Sequence, residues 1–513
     1  MLLKEKIFEY AFVTKMTRVI HRIIKKQRRL TMKKILTCVL AGLLGASMFA
    51  ISACNRNTVK NPGADYEVNL DIDYEVEGTL DIGITAEGTE KTMLESLIEE
   101  YNQIYPNVKV NIEQIPEPYN NSLVTYYQAD TNAPGTMPDI LMSNSEDMHP
   151  LVSSGILLDL QPYVNAATAS DDTSKNLVLD EYYEEMWVLG QEDFDGDQFL
   201  IPRSADRVVT HINEKIFTDC FSQYTAAGNE LPFTPIDGTY VPANGWTWEE
   251  FLDTCAVLRA YYDGDADWVT SSSNNGKSLY LIDAYLSWEA VYYSIFRSNG
   301  ATLIDPETGA ITVDSDATRT ALDMMNELIE KRYAAPFSSS SQANYEGGQG
   351  AMMFQSAYAR RWVNSLGDDY NLTSFPLIGS TPYIGTGVAG YGIYSRTPKR
   401  DLAWTFLRFM LTQDGQNALA RGGMTTNPLR KDMSDPATNE WGKEYVEQGI
   451  NMSAYTYGTE YCIPCDFMTY YDTDKYADLI TAVSTLITDA LGEMTYGDAI
   501  AKCVDQMNYV IAQ

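Results

Sequence analysis

Histidine is almost missing from this chain. Three occur in 513 residues, and only His149 and His211 lie beyond the first 53. An imidazole-based zinc centre is short of ligands, and the lone CxxC, Cys462-Ile463-Pro464-Cys465, has no second pair to complete a cysteine site. Cationic side chains are scarce in the same region. The first 53 residues hold 11 of the 37 Lys and Arg but only Glu5 and Glu9 of the 70 acids, so the remainder carries a formal charge of −42. That balance disfavours a nucleic-acid partner, because neutralising phosphates requires a cationic surface. A GxSxG elbow, an HExxH helix and a phosphate loop are also missing, which removes the familiar signatures of serine hydrolases, zinc peptidases and nucleotide binders. There is no internal repeat, and Ser338 to Ser341 is the sole low-complexity tract. An acidic surface confers solubility and leaves neutral polar molecules as natural guests.

One long apolar run is present, and its flanks are informative. Met32-Lys33-Lys34 precedes Ile35 to Ala50, and Ile51-Ser52-Ala53-Cys54 follows. Lysines hold the start on the cytoplasmic side, the apolar run enters the translocon, and small residues admit a peptidase before Cys54, whose thiol would carry the lipid. The competing reading is an uncut transmembrane anchor, since the run approaches the ~20 residues that span a bilayer. Both readings put the folded part outside the cytoplasm. Met1 to Thr31 is too long and too rich in Phe and Tyr for a signal n-region, so translation is expected to start at Met32; a basic amphipathic extension on the membrane is the alternative. Beyond Cys54 five cysteines remain, Cys220, Cys255, Cys462, Cys465 and Cys503, so at least one thiol stays unpaired. A local disulfide or two buried thiols explains the CxxC better than redox catalysis.

From Asn55 to about Gly78 the chain is polar and without sustained apolar periodicity, and it reads as a tether. Leu80, Ile82 and Ile84 then alternate as a strand; Met93, Leu94, Leu97, Ile98 and Tyr101 recur as a helix; Val108, Val110 and Ile112 give a second strand, and Pro138-Asp139-Ile140-Leu141-Met142 a third. This βαβ rhythm predicts an α/β fold with a parallel-type sheet between helices. In such sheets ligands lie beyond the carboxyl ends of the strands, here Thr85 to Thr89 and Ser143 to Glu146. Thr89 and Ser145 also suit ordinary helix capping. Asp193-Phe194-Asp195-Gly196-Asp197 invites a calcium reading, but the sixth residue is Gln198 where an EF-hand loop needs glycine, so a hairpin turn fits better. Asp263-Gly264-Asp265-Ala266-Asp267 is read the same way.

Five segments, in order, resemble the sugar-binding proteins of carbohydrate ABC importers, the maltose-binding-protein type. They are Pro138-Asp139-Ile140 leading to Leu151 to Leu160; Phe199-Leu200-Ile201-Pro202 with His211 to Phe217; Gly245-Trp246-Thr247-Trp248-Glu249-Glu250-Phe251; Gln349 to Phe354; and Ala403 to Met410 with Asp414-Gly415-Gln416. The second carries His and Ile where the family prefers tyrosines. Each match is weak alone, and their shared order behind a lipobox makes the set specific. The resemblance implies two hinged lobes enclosing the ligand, with lobe 1 at 79 to 209 and 383 to 425 and lobe 2 at 210 to 382 and 426 to 513, behind the extension at 1 to 31, the signal peptide at 32 to 53 and the tether at 54 to 78. It also implies a monomer, anchored through Cys54 alone, that carries a carbohydrate to permease subunits and needs no cofactor or metal.

Sugars present alternating faces of hydroxyls and C–H groups, so their sites combine carboxylates and amides with aromatic plates. Tyr358, behind Gln355-Ser356-Ala357 at the end of an apolar strand, stands where the family places its stacking aromatic; Trp362 could stack or pack beneath the loop, and Trp288 precedes a segment similar to the family's "NGG". Asp206 stands just before the expected crossing strand, as an acidic sugar ligand or the salt-bridge partner of Arg203 or Arg207, and Arg203 and Ser356 are themselves expected to contact the ligand. Glu87, Asn144 and Ser145 come from the lobe 1 loops, and Tyr391 follows a glycine-rich approach to the cleft, to stack or to pack. Two alternatives to import stay open: a secreted glycoside hydrolase, whose carboxylate pair would be hidden among 70 acids, and a sugar-sensing receptor component.

Overall fold

The computed structural model describes residues 66–85, 88–131, 133–191, 196–272, 279–305, 308–337, 341–356, 359–424, 427–463 and 473–512. The lipobox with Cys54, and also Glu87, Tyr358 and Cys465, lie outside the described residues. Among those described, no helix is long and apolar enough to cross a membrane.

The first sheet follows from the alternation read above. Strand β1 (Gly78–Ile84) buries Leu80, Ile82 and Ile84 completely, each worth roughly 1.5–3 kcal/mol of transfer free energy. Helix α1 (Gly88–Ile104) lays Met93, Leu94, Leu97 and Tyr101 on one face and returns the chain to β2 (Val108–Gln114), parallel to β1 throughout. Helix α2 (Tyr119–Asp130) leads to β3 (Ile140–Asn144), parallel to β1 on its other side, and α3 (Ser145–Ser153) follows at once. Helix α4 (Gln161–Thr168) precedes a short strand β4 (Ile201–Pro202), after which β5 (Ser204–Ala205) leaves the sheet.

A second sheet begins with β6 (Val209–Asn213), so Val209 belongs to that sheet. Helix α5 (Glu214–Ala226) is capped by Asn213, whose side chain accepts from the Ile216 N–H at 3.2 Å. Helix α6 (Trp248–Asp263) starts at a capping box: Thr247 Oγ1 accepts from Glu250 N at 3.2 Å, and Glu250 Oε2 accepts from Thr247 N at 2.7 Å. The Trp-Thr-Trp-Glu-Glu segment is therefore a helix start, with Trp246 Nε1 donating to Ser374 O at 2.8 Å. At the other end Gly264 takes the left-handed conformation and Asp263 accepts from Arg259 Nη2 at 2.8 Å, so the first acid of that run serves a helix stop. Next come β7 (Ile282–Asp283), α7 (Glu289–Ser298), α8 (Asp316–Glu330), β8 (Met352–Gln355), α9 (Ala359–Leu366) and β9 (Tyr370–Ser374). The order in this sheet is β7-β8-β6-β9.

The chain then returns. Strand β10 (Ile384–Gly385) lies in the crossing, and β11 (Ala389–Ile393) enters the first sheet antiparallel to β3 and β4, completing the order β2-β1-β3-β11-β4. Helices α10 (Arg400–Met410) and α11 (Gln413–Arg421) cover lobe 1. The indole of Trp404 stacks on Tyr163 at 5.1 Å between ring centres, and Thr405 Oγ1 meets Tyr101 Oη at 2.7 Å. Strands β12 (Asn427–Pro428) and β13 (Cys462–Ile463) and helices α12 (Thr473–Ala490) and α13 (Tyr496–Ala512) complete the fold. The protein is a two-lobe α/β molecule, with the segments that cross between the lobes tied by two short strand pairs.

The region expected as tether contains more order than its polarity suggests. From Tyr66 to Asp73 the exposed positions alternate with Tyr66, Val68, Leu70 and Ile72, which pack partly buried against lobe 1. The acids and asparagine between them mask this two-residue period at the level of sequence.

Candidate functional site

Strand direction shows which ends of the sheets meet. In the first sheet Ala389 pairs with Asn144 and Gly390 with Pro202, so β3, β4 and β11 share one end. In the second, Val209 pairs with both Gln355 and Ser374. The chain passes from Pro202 to Val209 through residues 203–208 alone, so these two ends face each other across a cleft. Two further strand pairs stitch the crossing: β5 with β12, and β10 with β13. Thr386 Oγ1 donates to Asp206 O, and Arg207 Nη1 donates to Tyr457 O at 3.1 Å and Thr459 Oγ1 at 2.9 Å. Nε and Nη2 of Arg207, a fully buried side chain, have no acceptor among the described residues.

On the lobe 1 side Asn144 is the last residue of β3 and half-buried, and Ser145 begins α3. Arg203 and Tyr391 converge on Glu90 in the first turn of α1. Arg203 Nη2 lies 3.1 Å from Glu90 Oε2, its Nε 3.3 Å from both carboxylate oxygens, and Tyr391 donates its hydroxyl to Glu90 Oε1. All three side chains are buried, so Arg203 and Tyr391 brace the wall of the cleft and present no face to a guest. The salt bridge considered for Arg203 exists, with Glu90 as its acid.

In the crossing Asp206 is half-buried, with Oδ1 accepting from Ser204 Oγ at 3.2 Å. Ser356 is half-buried just beyond β8. Trp362 is buried, with Tyr345 at 5.9 Å, His211 at 5.6 Å and the Arg361 guanidinium at 4.8 Å, which places it beneath the surface as packing. His211 itself is enclosed, and burial pushes its pKa down to about 3.

Trp288 is half-buried at the start of α7 and leads to a residue that sequence reading passed over. Tyr285 lies 5.6 Å from Trp288 between ring centres, is 41% exposed, and has φ +45. Together with Asp283, Leu286, Ser287, Phe337 and Thr488 it lines a cavity of about 340 Å³ beyond the end of β7. The Tyr285 ring, beside a carboxylate and two hydroxyls at the strand end that faces the other lobe, can stack on a sugar's C–H face while those groups hold its hydroxyls, and Trp288 packs against it. The signal available was the spacing: Tyr285 and Trp288 stand three residues apart directly after a short apolar strand.

Two α/β lobes joined by stitched crossings, with polar loops and an aromatic pair at the apposed strand ends, define a two-lobe ligand-binding protein. Residues 85–417 match the family described as bacterial extracellular solute-binding protein, and the chain belongs to that family. Among solved structures it is similar to the GacH receptor of Streptomyces glaucescens, studied unliganded and with acarbose and an acarbose homolog, at 16% identity and a TM-score of 0.60, covering 86% of this chain and all of that one. It is also similar to the ABC substrate-binding protein Lmo0181 of Listeria monocytogenes, solved with cycloalternan, at 16% identity and a TM-score of 0.61, covering 85% of this chain and all of that one. Among curated protein sequences none matches it.

Proposed function

We propose that this chain is a lipid-anchored substrate-binding protein that captures an extracellular sugar or oligosaccharide between its lobes and delivers it unaltered to the permease subunits of an ABC transporter. The observation that carries the reading is the exposed Tyr285 ring at the cleft end of β7, which lines a cavity with the Asp283 carboxylate and the Ser287 hydroxyl and is backed by Trp288. Asn144 and Ser145 from lobe 1, with Glu87 ahead of α1, Asp206 from the crossing, and Ser356 and Tyr358 from lobe 2 would complete a ring of hydroxyl-binding groups. Arg203, Tyr391 and Trp362 would support that ring from behind. Family membership supports capture over catalysis, and the two similar structures were solved with acarbose and with cycloalternan.

The mature protein acts as a monomer in this reading, with Cys54 as its sole membrane attachment and no cofactor. Thermal shift and calorimetry against a panel of glucose-, mannose- and xylose-based oligosaccharides test it, together with chromatography of the recovered sugar. A stabilising, chemically unchanged ligand supports the proposal; released products would establish a glycosidase instead. Cys54→Ser should move the protein from the membrane fraction to the medium.

A further inference from the structure

The chain leaves the folded body at one defined place. Residues 66–77 form an extended strap clamped to lobe 1 at both ends. At its start Tyr66 donates its hydroxyl to Asp159 O at 2.5 Å, lies 5.6 Å from the Tyr163 ring, and is covered by the Arg400 guanidinium at 5.0 Å. In the middle Asn69 N donates to Asp401 Oδ1 at 3.2 Å, and Asp71 pairs with Lys175, which Asp172 also holds at 2.9 Å. Near its finish Tyr74 packs on Tyr105 at 5.4 Å and Asn107 Nδ2 donates to Glu75 Oε2 at 3.2 Å.

These contacts share a pole. Asn107 immediately precedes β2, Asp159 follows Leu158, whose N–H donates to Ile393 O at the finish of β11, and Arg400 and Asp401 open α10. The cleft is bounded by the opposite ends of the same strands, at Asn144, Ala389 and Pro202. The strap therefore crosses lobe 1 on the side away from the ligand.

We infer that the strap makes lobe 1 the membrane-tethered lobe, attached by the pole opposite the cleft, and leaves lobe 2 as the half that moves relative to the bilayer when the hinge closes. This rests on the reading that Cys54 carries lipid. The twelve peptide steps from Cys54 to Tyr66 span at most ~43 Å fully extended. A leash running freely to Gly78 would double that limit and let either lobe approach the surface. The strap thus restricts the orientations from which the cleft meets a permease, and it does so with side chains away from the cleft.

The test uses the acylated full chain on phosphatidylglycerol/phosphatidylethanolamine vesicles carrying an acceptor-labelled lipid. A donor dye is placed at K109C, beside the strap, or at K215C, at the far end of lobe 2; both lysines are exposed. Stronger transfer from position 109 than from 215, with the difference lost in Leu70→Asp, is the expected result. Hydrogen exchange on soluble Cys54→Ser protein checks the strap independently: residues 66–77 should be protected, and Leu70→Asp should abolish that protection without changing the rest of lobe 1. Equal transfer from both dyes in protein that binds vesicles overturns the inference alone. Failure of the acylated chain to bind vesicles overturns the anchoring reading, and the inference with it.

Discussion

Tyr285 packs its ring 5.6 Å from the indole of Trp288 while holding a backbone φ of +45, a conformation that side chains other than glycine avoid. Such strain persists where surrounding structure imposes it and tends to gather at binding sites, at about 1–3 kcal/mol. The pair therefore gives a prediction with two opposite signs. Tyr285→Gly should relieve the backbone and leave the melting temperature unchanged or raised, yet weaken oligosaccharide binding by ~1–3 kcal/mol, the range for stacking on an aromatic ring. Calorimetry and a thermal melt on the same sample decide it. Unaltered affinity would remove Tyr285 from the site.

The Glu90 and Arg203 pair predicts the reverse pattern. Both are buried, so removing one partner strands the other charge, at a cost of about 3–5 kcal/mol. Glu90→Ala should be strongly destabilised in urea unfolding, whereas Glu90→Leu with Arg203→Met should recover much of the loss. A single variant within 1 kcal/mol of the parent would show that water reaches the pair.

How far the sequence could be read follows from what each motif does. The strands at 78–84, 108–114 and 140–144 were legible because burial imposes a two-residue period on them, and helix α1 because its buried face recurs every three to four residues. The segments that resembled the family proved to be scaffold: a capping box at Thr247 and Glu250, the strand at Met352, and the packed face of α10 around Trp404. Scaffold repeats among relatives because packing geometry does. The candidate site was less legible. An aromatic looks the same in sequence whether it is exposed, as Tyr285 is, or buried, as Tyr391 and Trp362 are. The strap stayed hidden because its alternating apolar side chains are diluted by acids that face water.

Gly385 should be intolerant of any side chain. A Cβ there would lie 2.0 Å from Ala290 O in α7, and the Gly385 N–H donates to Ser294 Oγ at 2.7 Å. The crossing strand and the helix behind the Tyr285 and Trp288 pair are thereby held at backbone contact. Gly385→Ala should push them apart, costing ~1–3 kcal/mol of stability as overpacking does. It should also loosen ligand binding, although residue 385 lies in the crossing. An unchanged unfolding midpoint in urea would contradict the contact.

His211 supplies a pH dependence whose sign is fixed by its surroundings. Nε2 faces the Gln355 carbonyl at 3.2 Å, which only accepts, so Nε2 carries the proton and Nδ1 accepts from the Tyr370 hydroxyl at 2.9 Å. Complete burial disfavours the charged, doubly protonated ring and outweighs the Gln355 carbonyl that favours it, so the folded pKa is pushed from 6.5 to about 3. The unfolded chain takes up this proton below pH 6.5 and the folded protein does not, so stability is full above that value and falls by ~1.4 kcal/mol per unit towards pH 3. Between pH 7.5 and 5 the parent should lose about 2 kcal/mol more than His211→Gln, whose neutral amide can still donate to Gln355 O. The variant should start lower at pH 7.5, having given up the fit to Tyr370. Urea titrations at the two pH values measure both quantities, and parallel losses in parent and variant would assign the acid sensitivity to the carboxylates alone.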